Sequence, residues 1–276
     1  MIHALDHMAI AVTDLDAAVR NYEAFLGRTA ERAPPVAGAE RAWLHLENMS
    51  VELIAASGDG PAADRVKRRL DTAGEGLLLM AFAVEDLAAS ARLLERRGVR
   101  GHPRADTAWS PDPAATGGVQ LVLFHRPRAD RPAPSTPLHA ADAIPFGLDH
   151  VVVRTPNPDR ALALYGAKLG LDLRLDRSNP DWGARQMFFR CDDLVIEIGH
   201  GLKAGVSDGA DSLGGLAWRV RDPEAVQARL AAAGFDVSEV RKGRKPGTQV
   251  FTVRDRTHGV PTLVLSGEAR PEGEAS

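Results

Sequence analysis

Cysteine is almost missing from this chain of 276 residues: Cys191 is the single one. No intrachain disulfide can form, which excludes a disulfide-framed secreted domain and fits a reducing compartment. Charge of one sign is equally scarce. With 34 basic and 37 acidic side chains the net charge is −3, so nothing draws the chain as a whole to nucleic acid or to an anionic membrane surface. Long apolar runs are lacking too. The stretch Leu77 to Val84 is among the longest, far short of the ~20 residues that span a bilayer. The first residues, Met1 to His7, do not combine a basic segment with an apolar stretch as a signal peptide does. The expectation is a cytoplasmic protein with a small-molecule substrate or ligand, no nucleic-acid or membrane partner, and a monomeric or homodimeric state. Composition, 44% hydrophobic and 26% charged, is that of a globular protein, and the length suits two domains of ~100–200 residues.

What the chain does have is internal repetition. Leu5-Asp6-His7-Met8 returns as Leu148-Asp149-His150-Val151 at an offset of 143 residues. Each copy leads through an Asp- or Asn-containing cap region into a helical pattern carrying Tyr22 or Tyr165 and closing on Leu26-Gly27 or Leu169-Gly170. Val51-Glu52-Leu53 then returns as Ile196-Glu197-Ile198. A second repetition lies inside each half, where Leu77 to Val84 and Gly215 to Val220 each precede a helix ending at Gly98 or Gly234 and a closing apolar strand. Each quarter therefore reads as a strand, a helix and two or three further strands. The expected fold class is α+β, with two tandem domains at 1–126 and 146–267, each two βαβββ modules in a curved mixed sheet. Between them 127–145 carries Pro127, Pro132, Pro134, Pro137 and Pro145 and reads as a linker. Residues 268–276 read as a flexible tail.

Chemistry concentrates on the repeated strands. Strand alternation puts His7 on a face with Leu5, Ala9 and Ala11, opposite Asp6, and it sets Glu52 inside the apolar run Met49 to Ala55, where a lone carboxylate is costly. His150 and Glu197 repeat the arrangement. A histidine and a glutamate facing one cavity suit a divalent ion such as Zn, Mn, Fe, Ni or Co, and equally suit a buried hydrogen-bonded pair with no ion. Elsewhere, Trp182, Met187, Phe188, Phe189 and Trp218 read as core or as pocket lining. His200, His125 and His258 read as loop or strand-end residues, and Arg241 to Gly247 reads as a solvated turn or an anion-binding one.

The Leu-Asp-His strand, the helix ending in Leu-Gly, the Val-Glu-Leu strand and Gly74-Glu75-Gly76 together resemble the vicinal oxygen chelate superfamily. That group holds glyoxalase I, methylmalonyl-CoA epimerase, extradiol dioxygenases and the bleomycin and fosfomycin resistance proteins. The first half is most similar to methylmalonyl-CoA epimerase, on Gly74-Glu75-Gly76 and Thr116-Gly117-Gly118-Val119. The resemblance implies a cupped barrel with one metal, held by residues of the first and last strands of paired modules. His7, Glu52, His150 and Glu197 occupy such positions, while Leu79, Val122, Leu216 and Leu263 stand where the remaining ligands are expected.

Three functional readings follow. In one, the four residues converge on a single divalent ion in an enzyme that enolises a small carbonyl or carboxylate substrate, as an isomerase, epimerase or lyase. In another no metal binds and Glu52 or Glu197 is the general base. In the third the protein binds a small molecule without chemistry, as resistance proteins do. Ring cleavage by a dioxygenase ranks below these, because its two-His, one-carboxylate triad lacks residues.

Overall fold

The computed structural model of the protein describes residues 1–267; the tail expected at 268–276 lies outside them. In the first half, the order is β1 (Ile2–Ala11), α1 (Leu15–Leu26), β2 (Glu31–Val36), β3 (Ala39–His45), β4 (Ser50–Ala56), α2 (Pro61–Ala73), β5 (Gly76–Val84), α3 (Leu87–Arg96), β6 (Gly101–Ala105), β7 (Ala108–Pro111) and β8 (Leu121–His125). The second half holds β9 (Gly147–Arg154), α4 (Pro158–Leu162) continued by a π-helical turn, β10 (Asp172–Asn179), β11 (Ala184–Cys191), β12 (Leu194–Gly201), β13 (Ser212–Val220), α5 (Pro223–Ala232), β14 (Arg241–Lys242), β15 (Gln249–Val253) and β16 (Thr262–Ser266).

Helix starts repeat one device. Asp14, Asp86, Asn157 and Asp222 each accept a backbone N–H of the first turn, which satisfies one of the donors a helix start leaves free. Helix α1 ends on Gly27 at φ 64°, a left-handed value that glycine adopts without Cβ strain.

Each half folds into one eight-stranded mixed sheet, ordered β2-β3-β4-β1-β5-β8-β7-β6 and β10-β11-β12-β9-β13-β16-β15-β14. The two modules of a half thus share a sheet, joined by antiparallel β1–β5 or β9–β13 pairing. One face of each sheet meets α1 and α3 or α4 and α5, and the two halves share one apolar core. Phe25 of α1 meets the Trp218 ring edge-on at 5.9 Å, the Tyr22 hydroxyl donates to the Thr257 carbonyl, and the Asn48 amide bonds both the N–H and the carbonyl of Leu148.

The other face of each sheet is its concave side, and here the halves differ. In the first, α2 lays Ala62 and Val66 against Ala9, Ala11, Ile54, Leu79, Ala81 and Val122, filling the concavity with a second apolar cluster. In the second, the stretch between β12 and β13 forms a three-residue 3-10 turn, Leu202–Ala204, in place of that helix. Among the described residues no helix is long and apolar enough to cross a membrane.

Candidate active site

Strand alternation places His7 with Leu5, and the structure corrects this. On β5, Phe82 faces Leu5 and the next residue, Ala81, already faces His7, so Asp6 is the extra residue of a β-bulge. Leu5 joins Met8 and Ile10 in the helix-side core, while Ala9 and Ala11, in phase with His7, lie in the concave-side cluster. The bulge turns Asp6 onto its neighbour, with Oδ2 2.7 Å from His7 Nδ1. β9 repeats the device: Trp218 faces Leu148 and Ala217 faces His150, leaving Asp149 extra, with Oδ1 2.9 Å from His150 Nδ1. An arginine completes each group. Arg126 Nε donates to Asp6 Oδ1 at 3.0 Å and Arg219 Nε to Asp149 Oδ2 at 2.9 Å. Burial alone would raise the Asp149 carboxyl; the hydrogen bond and charge of His150, followed by those of Arg219, outweigh it and hold it at about 2. Asp6 is lowered by the same balance. These four residues were not singled out from the sequence, although the doubled Asp-His dipeptide was its visible sign.

On its other nitrogen each histidine meets its glutamate. His7 Nε2 lies 3.8 Å from Glu52 Oε2, and His150 Nε2 lies 3.5 Å from Glu197 Oε2. Parallel pairing sets both distances, since Ala9 is registered with Glu52 and Val152 with Glu197. The remaining carboxylate oxygens differ. Arg41 Nη1 approaches Glu52 Oε1 at 3.4 Å, whereas Gln186 Nε2 donates to Glu197 Oε1 at 2.6 Å. Access differs as well. His7 and Glu52 side chains keep 7% and 8% of their surface exposed beneath α2; His150 and Glu197 keep 19% and 15%.

A cleft of about 640 Å³ reaches Glu197 of the second pair, lined among others by Gln186, Arg154, His200 and Ser212. A further cleft of about 860 Å³ reaches from Asp149 past Arg219 to Lys245 and Thr248. A Cβ on Gly214 would sit 3.0 Å from Val152 Cγ1 and 3.1 Å from Arg154 Cγ.

Several expectations are corrected here. Convergence of His7, Glu52, His150 and Glu197 on one ion does not occur among the described residues: each histidine meets the glutamate of its own sheet, and no three such side chains are grouped. Register also revises one ligand position. β1–β5 pairing sets Leu79 opposite Ala9, and β9–β13 pairing sets Gly215, not Leu216, opposite Val152. Leu216 packs with Trp218 in the helix-side core. His200 lies within β12, buried, with Nδ1 3.0 Å from the Thr155 carbonyl. His258, read as a loop or strand-end residue, is 10% exposed at its side chain and bonds Glu75 Oε2 through Nδ1 at 2.9 Å. The turn around Arg244 is not simply solvated, because Arg244 and Arg177 stack on the Trp182 ring at 4.7 and 4.8 Å. Met187, Phe189 and Trp218 are plain core.

The family described as Glyoxalase/Bleomycin resistance protein/Dioxygenase superfamily matches residues 6–111 and 149–252, both halves of the chain. The protein belongs to this superfamily. The first half is matched by an ethylmalonyl-CoA/methylmalonyl-CoA epimerase from Cereibacter sphaeroides, 33% identical over 131 residues, which cover 46% of the chain and 91% of that protein. Among solved structures, a mutant 4-hydroxymandelate synthase from Streptomyces coelicolor superposes with a TM-score of 0.72 at 15% identity, over 98% of this chain and 94% of that one. A Mn(II)-bound glyoxalase from Novosphingobium aromaticivorans gives 0.67 at 15%, over 96% and 82%. At these identities the structures establish the shared fold.

A metal site of the superfamily's kind does not fit the donors present. At the positions of the superfamily's ligands each cup offers one imidazole and one carboxylate, while Leu79 and Val122 in the first and Gly215 and Leu263 in the second bring no donor. Among the described residues no three His, Cys, Asp or Glu side chains are grouped to hold a metal ion, whereas catalytic zinc sites normally draw three ligands from the protein.

Proposed function

We propose that the protein is an enzyme that moves a proton on a small carbonyl or carboxylate substrate, an isomerase, epimerase or lyase acting through an enolate, and that its active site is the cup of the second domain. One observation carries this reading. The His–Glu pair occurs twice, and Glu197 lines an open cleft of about 640 Å³, whereas Glu52 keeps 8% of its side chain exposed in the half whose concavity α2 fills.

In this reading Glu197 is the base. Gln186 occupies Oε1, so Oε2 is the oxygen that accepts a proton from the substrate carbon. Asp149, ionised above about pH 2, accepts a hydrogen bond from His150 Nδ1–H and fixes the ring so that Nε2 faces Glu197. The C–H bond breaks with its electron pair passing into the enolate, and the proton held between Glu197 and His150 returns to carbon. Arg154, at the rim and in no ion pair among the described residues, holds the substrate carboxylate. Removing a positioned base costs roughly 10²–10⁴-fold in rate. A two-His, one-carboxylate ring-cleaving centre would need a second histidine beside His150 and Glu197, and His200 is instead bonded through Nδ1 to the Thr155 carbonyl.

A binding protein without turnover is the second reading, favoured by the loss of half the ligand positions in both cups. Exchange of substrate C–H with deuterated solvent separates the two: the enzyme exchanges and the binder does not. We also place the protein in a reducing, cytoplasmic setting, consistent with the buried free thiol of Cys191.

A further inference from the structure

A separate cleft of about 250 Å³ lies in the first domain between α2 and β6. Its lining includes Arg65 and Arg68 from α2, Arg104 and His102 from β6, and Ser110 and Gln120. His102 pairs with Asp112 at 3.3 Å. The three arginines form no ion pair among the described residues, and the enclosed Nε of Arg65 has no hydrogen-bond partner. Burial, and next the Arg104 charge, push the Arg65 guanidinium down to about 10 against the pull of Glu52. Burial likewise lowers Arg104, with Glu52 opposing.

The charge count is uneven. Glu52 and Asp64 are the carboxylates that act on Arg65, and Glu52 is already met by Arg41 and His7. Three arginines line the cleft; the carboxylates near it, Glu52 and Asp112, are held by Arg41 and His7 and by His102, so the lining carries excess positive charge. Half-buried guanidiniums without counter-charge are costly to maintain, and their forked donors match the oxygens of a tetrahedral anion.

We propose that this cleft binds a phosphate-class dianion, either free phosphate or a phosphomonoester. Arg65, Arg68 and Arg104 supply the charge, and the Ser110 hydroxyl and Gln120 amide supply neutral donors. The site stands apart from the second-domain cup and does not depend on the reaction assigned there.

Titration calorimetry on the full chain, at fixed ionic strength, tests it with inorganic phosphate and with glycerol 3-phosphate, sodium chloride serving as the control. Saturable binding of phosphate is expected, with Kd at least about tenfold higher in Arg65→Gln and in Arg104→Gln. Arg174→Gln should be unchanged, because Arg174 is exposed on β10 and paired with Asp172. If either cleft variant fails to fold, the exposed Arg68→Gln gives the same readout. Tighter binding of the ester assigns the site to a phosphomonoester, and equal binding assigns it to the free anion. Heat no greater than that of matched chloride, or an unchanged Kd in all the cleft variants, overturns the proposal.

Discussion

Asp149 Oδ1 lies 2.9 Å from Nδ1 of His150, its immediate neighbour on a β-strand. Successive residues of an unbroken strand point to opposite faces, so this contact exists only because the strand bulges there. The bulge converts a sequence dipeptide into a working unit in which a carboxylate fixes an imidazole and the imidazole faces a glutamate.

That unit makes stability depend on acid pH. Asp149 sits at about 2 in the folded protein against 3.8 for a free carboxyl. A depressed carboxyl stabilises the fold fully above its unfolded value and loses that stabilisation as pH falls through the folded one. Stability should therefore fall by about 2 kcal/mol from this group between pH 4 and pH 2. Asp149→Asn should remove that part of the slope, measured by urea denaturation across the range.

Domain docking rests on a polar bridge as well as on apolar contact. Asn48→Ala would leave the buried N–H and carbonyl of Leu148 without their partner. The expected loss is about 2 kcal/mol, read by denaturant unfolding, because an orphaned buried group costs more than a hydrogen bond gains.

The pairing register predicts that a metal site can be restored in the first cup. Leu79 and Val122 stand in β5 and β8 where His7 and Glu52 stand in β1 and β4. Leu79→His together with Val122→Glu should give a protein that zinc stabilises by several degrees in thermal melts, while zinc leaves the wild type unchanged. Equal stabilisation of both would contradict the register argument.

Much of this was legible in sequence. Duplication at an offset near 143 residues, the Asp/Asn-started helices and the Glu-bearing strands revealed four modules and both His–Glu pairs, because repetition and helix caps are local signals. What was not legible depends on non-local pairing. Alternation put Leu5 on the face of His7, and a bulge is invisible until β5 sets the register. The same dependence misplaced the ligand-equivalent position at Leu216 rather than Gly215. The difference between the cups was hidden for another reason. The strand-helix-strand reading of the first quarter left Pro61 to Ala73 without an element, and the structure shows a helix there that fills one cup while a short turn leaves the other open.

The cup glycines supply a prediction about access. Gly214→Leu would push a side chain towards Val152 and Arg154, narrowing the cleft over Glu197. Substrate binding should weaken at least about tenfold, seen as a raised KM, with the melting temperature changed little.

Solvent exchange at carbon tests the central claim most directly. Wild type, Glu197→Gln and Glu52→Gln are incubated in deuterated buffer with a panel of enolisable substrates, including methylmalonyl-CoA and small 2-oxo acids, and deuterium uptake at the α-carbon is read by mass spectrometry. The account predicts uptake by the wild type, a fall of at least about 100-fold in Glu197→Gln, and nearly full uptake in Glu52→Gln despite its lower stability. Uptake that survives Glu197→Gln and disappears in Glu52→Gln would place the chemistry beneath α2 and contradict the account.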